Sequence, residues 1–323
     1  MRPPMGGGSF TGRGERDGGG GRDSHPELKE KDKDPTSKLC LDMSDLRIER
    51  DGGGGRPDKE KDKADPTSKI CSAMSDLRIE RIGTTQWISV YTKRAPVKQR
   101  YHYNVTDIRL HHHVEKGHKE GLFISCVASE ANLWAFILDG GTGFTCQVCQ
   151  VSSVFLHKKW IMKQWENKYL ITSIAGANNG SSLVVMSKGT SYTQQSYKVS
   201  DLFPYKWVNK KWKEGFHVTS MATSGSLWCV VASRNSGYSE QVVELDFLNP
   251  SEDIHRRLER GYMITSMAAT ADQAALILSI PKRKATDKIQ ETLRTSVFPS
   301  SYLKDKWAKN MYITSMCYGR TVC

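Results

Sequence analysis

From about residue 84 onward, apolar and hydroxyl side chains return in step. One short motif occurs five times: Phe123-Ile124-Ser125-Cys126-Val127-Ala128, Leu170-Ile171-Thr172-Ser173-Ile174-Ala175, His217-Val218-Thr219-Ser220-Met221-Ala222, Met263-Ile264-Thr265-Ser266-Met267-Ala268 and Tyr312-Ile313-Thr314-Ser315-Met316-Cys317. The central aliphatics Ile124, Ile171, Val218, Ile264 and Ile313 are spaced 47, 47, 46 and 49 residues apart. Each motif predicts a strand. After a turn comes a second apolar strand, as in Leu133–Leu138, Leu183–Met186, Leu227–Val231 and Ala275–Leu278. The turns Asn178-Asn179-Gly180 and Ser224-Gly225-Ser226 suit tight hairpins. A third strand follows, for example Gln194–Val199 and Gln241–Leu245. Aromatics form a second column: His118, Trp165, Trp212, Leu258 and Trp307 stand six residues before the aliphatics, and Trp160, Trp207 and Tyr302 five residues earlier again. Trp160 and Trp165 fit neither period cleanly, so this stretch reads as a fourth strand or a short helix.

Three or four short strands per 47 residues is the size of a propeller blade. The pattern predicts an all-β, propeller-like ring of about five blades. Trp134 and Trp228 lie in the apolar strands, while Trp160, Trp165, Trp207, Trp212 and Trp307 would fill the wedges between blades, where large rings fit. The ends of the sequence suggest how the ring closes. The last copy stops after its first strand, and the missing pieces stand at the start, in Gln86–Tyr91 and Tyr101–Val105. The strand from Tyr312 is therefore expected to complete the blade begun near Gln86, removing exposed sheet edges.

Composition divides the chain into residues 1–83, a disordered tail, and 84–323, the propeller-like domain. Of 47 basic and 35 acidic residues, 17 of each fall in residues 1–81, so the whole excess of +12 lies beyond them. The first segment holds 13 of the 27 glycines and no Trp or Tyr. It cannot bury enough apolar area to offset its chain entropy. It is also duplicated: Asp34–Arg50 returns as Asp65–Arg81. Its Gly-Arg blocks suggest RNA contact, but interleaved acids cancel the field that phosphate binding needs, which favours a solvated linker.

The segments Gln86–Tyr91, Lys98–Val105, Gly176–Thr190, Gln194–Asp201, Gln241–Phe247 and Cys317–Cys323 resemble the C-terminal region of plant casein kinase I-like protein kinases, the MUT-nine-like or early-flowering type. The resemblance covers residues 86–323. It implies a region that follows a casein kinase I-type catalytic domain in proteins acting in nuclear phosphorylation signalling. The catalytic elements themselves are missing. Gly140-Gly141-Thr142-Gly143 lacks the G-x-G-x-x-G spacing, Asp246-Phe247 is followed by Leu248, and Ile254-His255-Arg256-Arg257 has no Asp after its Arg. The expectation is a non-catalytic accessory domain, not an enzyme, that docks partners or substrates. The alternatives are a nucleic-acid-associated protein and a fragment of a serine/threonine kinase.

Basic residues cluster in the aromatic stretches: Lys158, Lys159 and Lys163; Lys210, Lys211 and Lys213; Arg256 and Arg257; Lys304 and Lys306. On blades they would make one positive rim, attractive to acidic or phosphorylated protein segments or to nucleic acid. The competing reading is a solvated surface whose aliphatic stems cover Trp. Cys146-x-x-Cys149 with His111–His113 and His118 raises zinc, but residues three apart on a strand face opposite sides, so no metal or other cofactor is expected. No apolar run approaches a membrane span. With no secretory signal, eight cysteines read as reduced thiols of a nuclear or cytoplasmic protein.

Overall fold

Each apolar-hydroxyl motif forms one edge strand of a three-stranded antiparallel sheet. The computed structural model describes residues 85–245, 252–283 and 289–320. The N-terminal duplication and Asp246-Phe247 lie outside these residues. Among the described residues there are five sheets. The first joins β14 (Gln290–Thr295), β1 (Thr85–Lys93) and β15 (Met311–Arg320) in that order; the second joins β2 (Gln99–Val105), β4 (Leu133–Asp139) and β3 (Phe123–Glu130). The third is β5 (Cys146–Ser152), β7 (Ser182–Lys188), β6 (Leu170–Gly176), and the fourth β8 (Gln195–Ser200), β10 (Leu227–Arg234), β9 (Phe216–Ser224). The fifth is β11 (Tyr238–Leu245), β13 (Ala274–Pro281), β12 (Met263–Ala269).

The middle strands are buried on both faces, which is why they read as continuous apolar runs. The motif strands β3, β6, β9, β12 and β15 each neighbour two others, in that order and back to β3. All five border one cavity of about 40 Å3, room for a few waters. The strands come close here: a Cβ on Gly176 would stand 2.3 Å from the Thr223 carbonyl oxygen. The first and last described strands share a sheet, β15 pairing with β1 from Thr85↔Arg320 to Lys93↔Met311.

The aromatic stretch is a helix: α1 (Asp107–Lys119), α2 (Lys158–Glu166), α3 (Tyr205–Lys213), α4 (Glu252–Glu259) and α5 (Leu303–Ala308). Each crosses from one edge strand of a sheet to its motif strand. The five-residue spacing that fitted neither period has a simple cause: Trp160 and Trp165 straddle Ile161, which is fully buried. Val208, Ile254 and Leu303 hold the same place in α3, α4 and α5. Burying each such side chain stabilises the fold by about 1.5–3 kcal/mol. Four helices are followed by Gly121, Gly215, Gly261 or Asn310, all at positive φ, and α2 by Lys168 at φ 65°.

Five apolar clusters lie between successive sheets, each with one helix. Trp160 and Trp165 pack half-buried between the third and fourth sheets, Trp207 and Trp212 between the fourth and fifth, and Trp307 between the first and second. Trp87, Trp134 and Trp228 are buried within the sheets. Ile124, Ile171, Val218, Ile264 and Ile313 are at most 3% exposed.

Candidate interaction surface

The hydroxyl of each motif has a structural cause. Ser125, Thr172, Thr219, Thr265 and Thr314 are the extra residues of β-bulges, where the register against the middle strand shifts. Four of these hydroxyls meet a hydroxyl on the middle strand: Thr172 with Ser187 at 2.9 Å, Thr219 with Ser233 at 2.8 Å, Thr265 with Ser279 at 2.6 Å and Thr314 with Thr92 at 2.7 Å.

The bulge leaves the aliphatic residue before it in need of partners, and a glutamine from the next sheet supplies them. Gln147 Oε1 accepts from the Ile124 amide at 2.8 Å and its Nε2 donates to the Ile124 carbonyl at 2.9 Å. Gln195 does the same to Ile171, Gln241 to Val218, Gln290 to Ile264 and Gln99 to Ile313. Indoles join the network: Trp165, Trp212 and Trp307 donate through Nε1 to Gln195, Gln241 and Gln99. This glutamine column escaped the sequence reading. Its signal was there, 23 to 26 residues after the first four aliphatics.

With the helices fixed this way, the basic residues face outward. Lys158, Lys159 and Lys163 are exposed on α2, Lys210 and Lys213 on α3, Arg256 on α4 and Lys304 on α5; Lys211, Arg257 and Lys306 are half-buried. Four of the ten are paired: Lys211 with Glu214 at 2.6 Å, Arg256 with Glu252 at 3.1 Å, Arg257 with Glu244 at 2.6 Å, and Lys306 with Glu291. Lys158, Lys159, Lys163, Lys210, Lys213 and Lys304 have no carboxylate within ion-pair distance among the described residues. Among these ten, the unpaired charge therefore concentrates on α2 and α3. Between the ends of these helices lies a groove of about 670 Å3, lined by Trp165, Lys168, Leu170, Lys211, Phe216 and the loop from Gly189 to Gln194.

The residues weighed for zinc are dispersed. Cys146 is exposed and meets the Tyr169 hydroxyl at 3.0 Å, while Cys149 packs against the cluster between the second and third sheets. His118 approaches Gln147, His111 pairs with Glu115, and the His113 ring lies tilted with its centroid 4.2 Å from that of His102. Among the described residues, no three His, Cys, Asp or Glu side chains gather as a metal site, and no helix is long and apolar enough to cross a membrane.

Burial pulls the His102 imidazole down to about 4 from 6.5, helped by the positive neighbours His113, Arg100 and Lys116. The unfolded chain therefore binds this proton first. The His102 contribution to stability should fall as pH drops from about 6.5 to about 4 and level off below. In paired denaturant titrations across this range, the His102→Phe variant should show a shallower fall than wild type. Parallel curves would count against the assignment.

An all-β domain of five three-stranded sheets with basic connecting helices is the class of protein these features define. The chain belongs to the family described as a domain of unknown function (DUF7477), whose model matches residues 60–323. It is 74% identical over 239 residues to casein kinase 1-like protein HD16 of Oryza sativa subsp. japonica, a match covering 74% of this chain and 34% of that protein. The matched stretch is a C-terminal region of that relative without its kinase domain. The chain thus spans about a third of the relative's length.

Proposed function

We propose that this chain is a non-catalytic accessory domain, a five-bladed propeller-like ring formed by residues 84–323, whose basic helices dock protein partners in nuclear phosphorylation signalling. The cyclic neighbour relation of the five motif strands, with β15 seated on β1, supports the ring. The observation that carries the docking role is the set of unpaired lysines on α2 and α3. A surface held rigid by interlocked sheets, with its charge gathered on two adjacent helices, attracts acidic or phosphorylated segments. The similarity to a kinase's C-terminal region, outside its catalytic domain, supports an accessory role.

Affinity capture with the full chain tests this. Retained proteins should be acidic, should elute with salt, and should be lost with a Lys158→Glu, Lys159→Glu, Lys163→Glu variant that melts like wild type. An unchanged set of retained proteins would defeat the docking role. ATP-dependent phosphorylation of a generic substrate by the purified chain, above buffer, would defeat the non-catalytic role. The same lysines favour a second reading, nucleic-acid association, which predicts binding to labelled RNA or DNA that weakens steeply with salt.

A further inference from the structure

We propose that the groove beside Lys168 is a docking site for an acidic peptide segment carrying one apolar anchor residue. The assignment rests on the docking role proposed above and gives it a place and a partner chemistry. The groove, about 670 Å3, is of the size that takes several side chains of a ligand. Its apolar surface comes from the half-buried Trp165 and Leu170, with the buried Phe216 ring beneath the Lys211 ammonium at 4.8 Å, and its charges come from two ammonium groups, Lys168 and Lys211. Among the described residues no carboxylate lines it. Lys211 is shared with Glu214, while Lys168 has no carboxylate partner among the described residues. Lys163, Lys210 and Lys213 extend the positive field along the flanking helices.

Lys168 stands where the chain elsewhere uses a residue at ease with left-handed backbone. Gly121, Gly215, Gly261 and Asn310 follow the other four helices at positive φ, yet Lys168 adopts φ 65°. A side chain with a Cβ costs about 1 kcal/mol or more in that conformation. The sequence thus keeps an ammonium at the groove where a glycine would fold more easily. Among the described residues no arginine lines the groove, and the Arg234 guanidinium that lies 4.7 Å over the Phe216 ring donates to the Glu214 carbonyl oxygen at 2.8 Å, so it is not free to grip a phosphate dianion at two points. Point charges beside the half-buried Trp165 indole and Leu170 suit carboxylates flanking an apolar side chain.

Fluorescence anisotropy with the full chain tests the site. The probes are short labelled peptides with one Leu, Phe or Trp flanked by Asp and Glu, their Asn and Gln counterparts, and counterparts carrying phosphoserine. The acidic peptides should bind, weaken with added salt, and lose roughly tenfold in affinity, about 1.4 kcal/mol, in Lys168→Gly. That variant should be as stable as wild type or more so, because glycine relieves the backbone. Glu214→Gln should tighten binding by freeing Lys211. Equal binding of neutral peptides, tighter binding of phosphopeptides, or no binding at low salt overturns the proposal. So does a Lys168→Gly variant that loses stability and keeps its affinity, since Lys168 would then serve only the helix end. If Lys159→Glu with Lys163→Glu weakens binding while Lys168→Gly does not, the groove falls and docking by the helices stands.

Discussion

A chain ending at Asn310 is expected to lose cooperative folding altogether. It lacks β15, the strand whose nine register pairs hold β1 from Thr85 to Lys93. Removing β15 strips the first sheet to two strands and takes Met311, Ile313 and Met316 from the cluster that also holds Trp87 and Tyr91. At about 1.5–3 kcal/mol for each buried side chain, those three alone are worth roughly 6 kcal/mol. That approaches the whole stability of an ordinary domain, about 5–15 kcal/mol. The cut also bares the edge of β1 and uncovers β3 and β12, the neighbours of β15, so aggregation should follow. Circular dichroism should show no cooperative melt, and hydrogen exchange should show protection lost in every sheet. Protection retained in β5 to β10 with loss confined to β1 and β14 would mean that the sheets fold independently, and the ring would fail with it.

Much of the fold was legible because burial on both faces leaves a direct trace. The middle strands read as apolar runs, and the motif strands could be aligned because each puts its aliphatic residue just before a bulge. The pairing of Tyr312–Cys317 with Trp87–Tyr91 followed from the order of pieces along the chain. The helices were ambiguous for a physical reason. Only Ile161 is fully buried in α2, so nine residues offer too few buried positions to set a period. The surface was less legible. Arg257 meets Glu244 on β11, and Lys306 meets Glu291 on β14, pairings that join elements and leave no local pattern. The groove unites Trp165 with Phe216, residues 51 positions apart. A glutamine on a strand likewise looks like any polar surface residue until the next sheet is placed against it.

Gln241→Leu should be among the most damaging single substitutions in the chain, although it is close in size and removes no charge. Gln241 is 6% exposed and holds four partners. It accepts from the Val218 amide at 2.6 Å and the Trp212 indole at 3.0 Å, and it donates to the Val218 carbonyl at 2.8 Å and Ser279 Oγ at 2.9 Å. Leucine fills the space but orphans those groups, each costing about 1–3 kcal/mol when buried without a partner. Some relax onto water, so the expected loss is roughly 3–5 kcal/mol in urea unfolding. Gln150→Leu is the control, because its Nε2 reaches only the carbonyl of its neighbour Val151; it should cost under about 1 kcal/mol. Gln241→Glu separates hydrogen bonding from packing. An ionised carboxylate still accepts from Val218 and Trp212 but points a lone pair at the Val218 carbonyl; only the protonated acid can donate there. Its folded-state pKa should therefore lie above the unfolded value, so the variant should come closest to wild type in acid and lose ground as pH rises. A Gln241→Leu loss under about 1 kcal/mol, or a Gln241→Glu deficit independent of pH, would show that apolar packing alone joins the fourth sheet to the fifth.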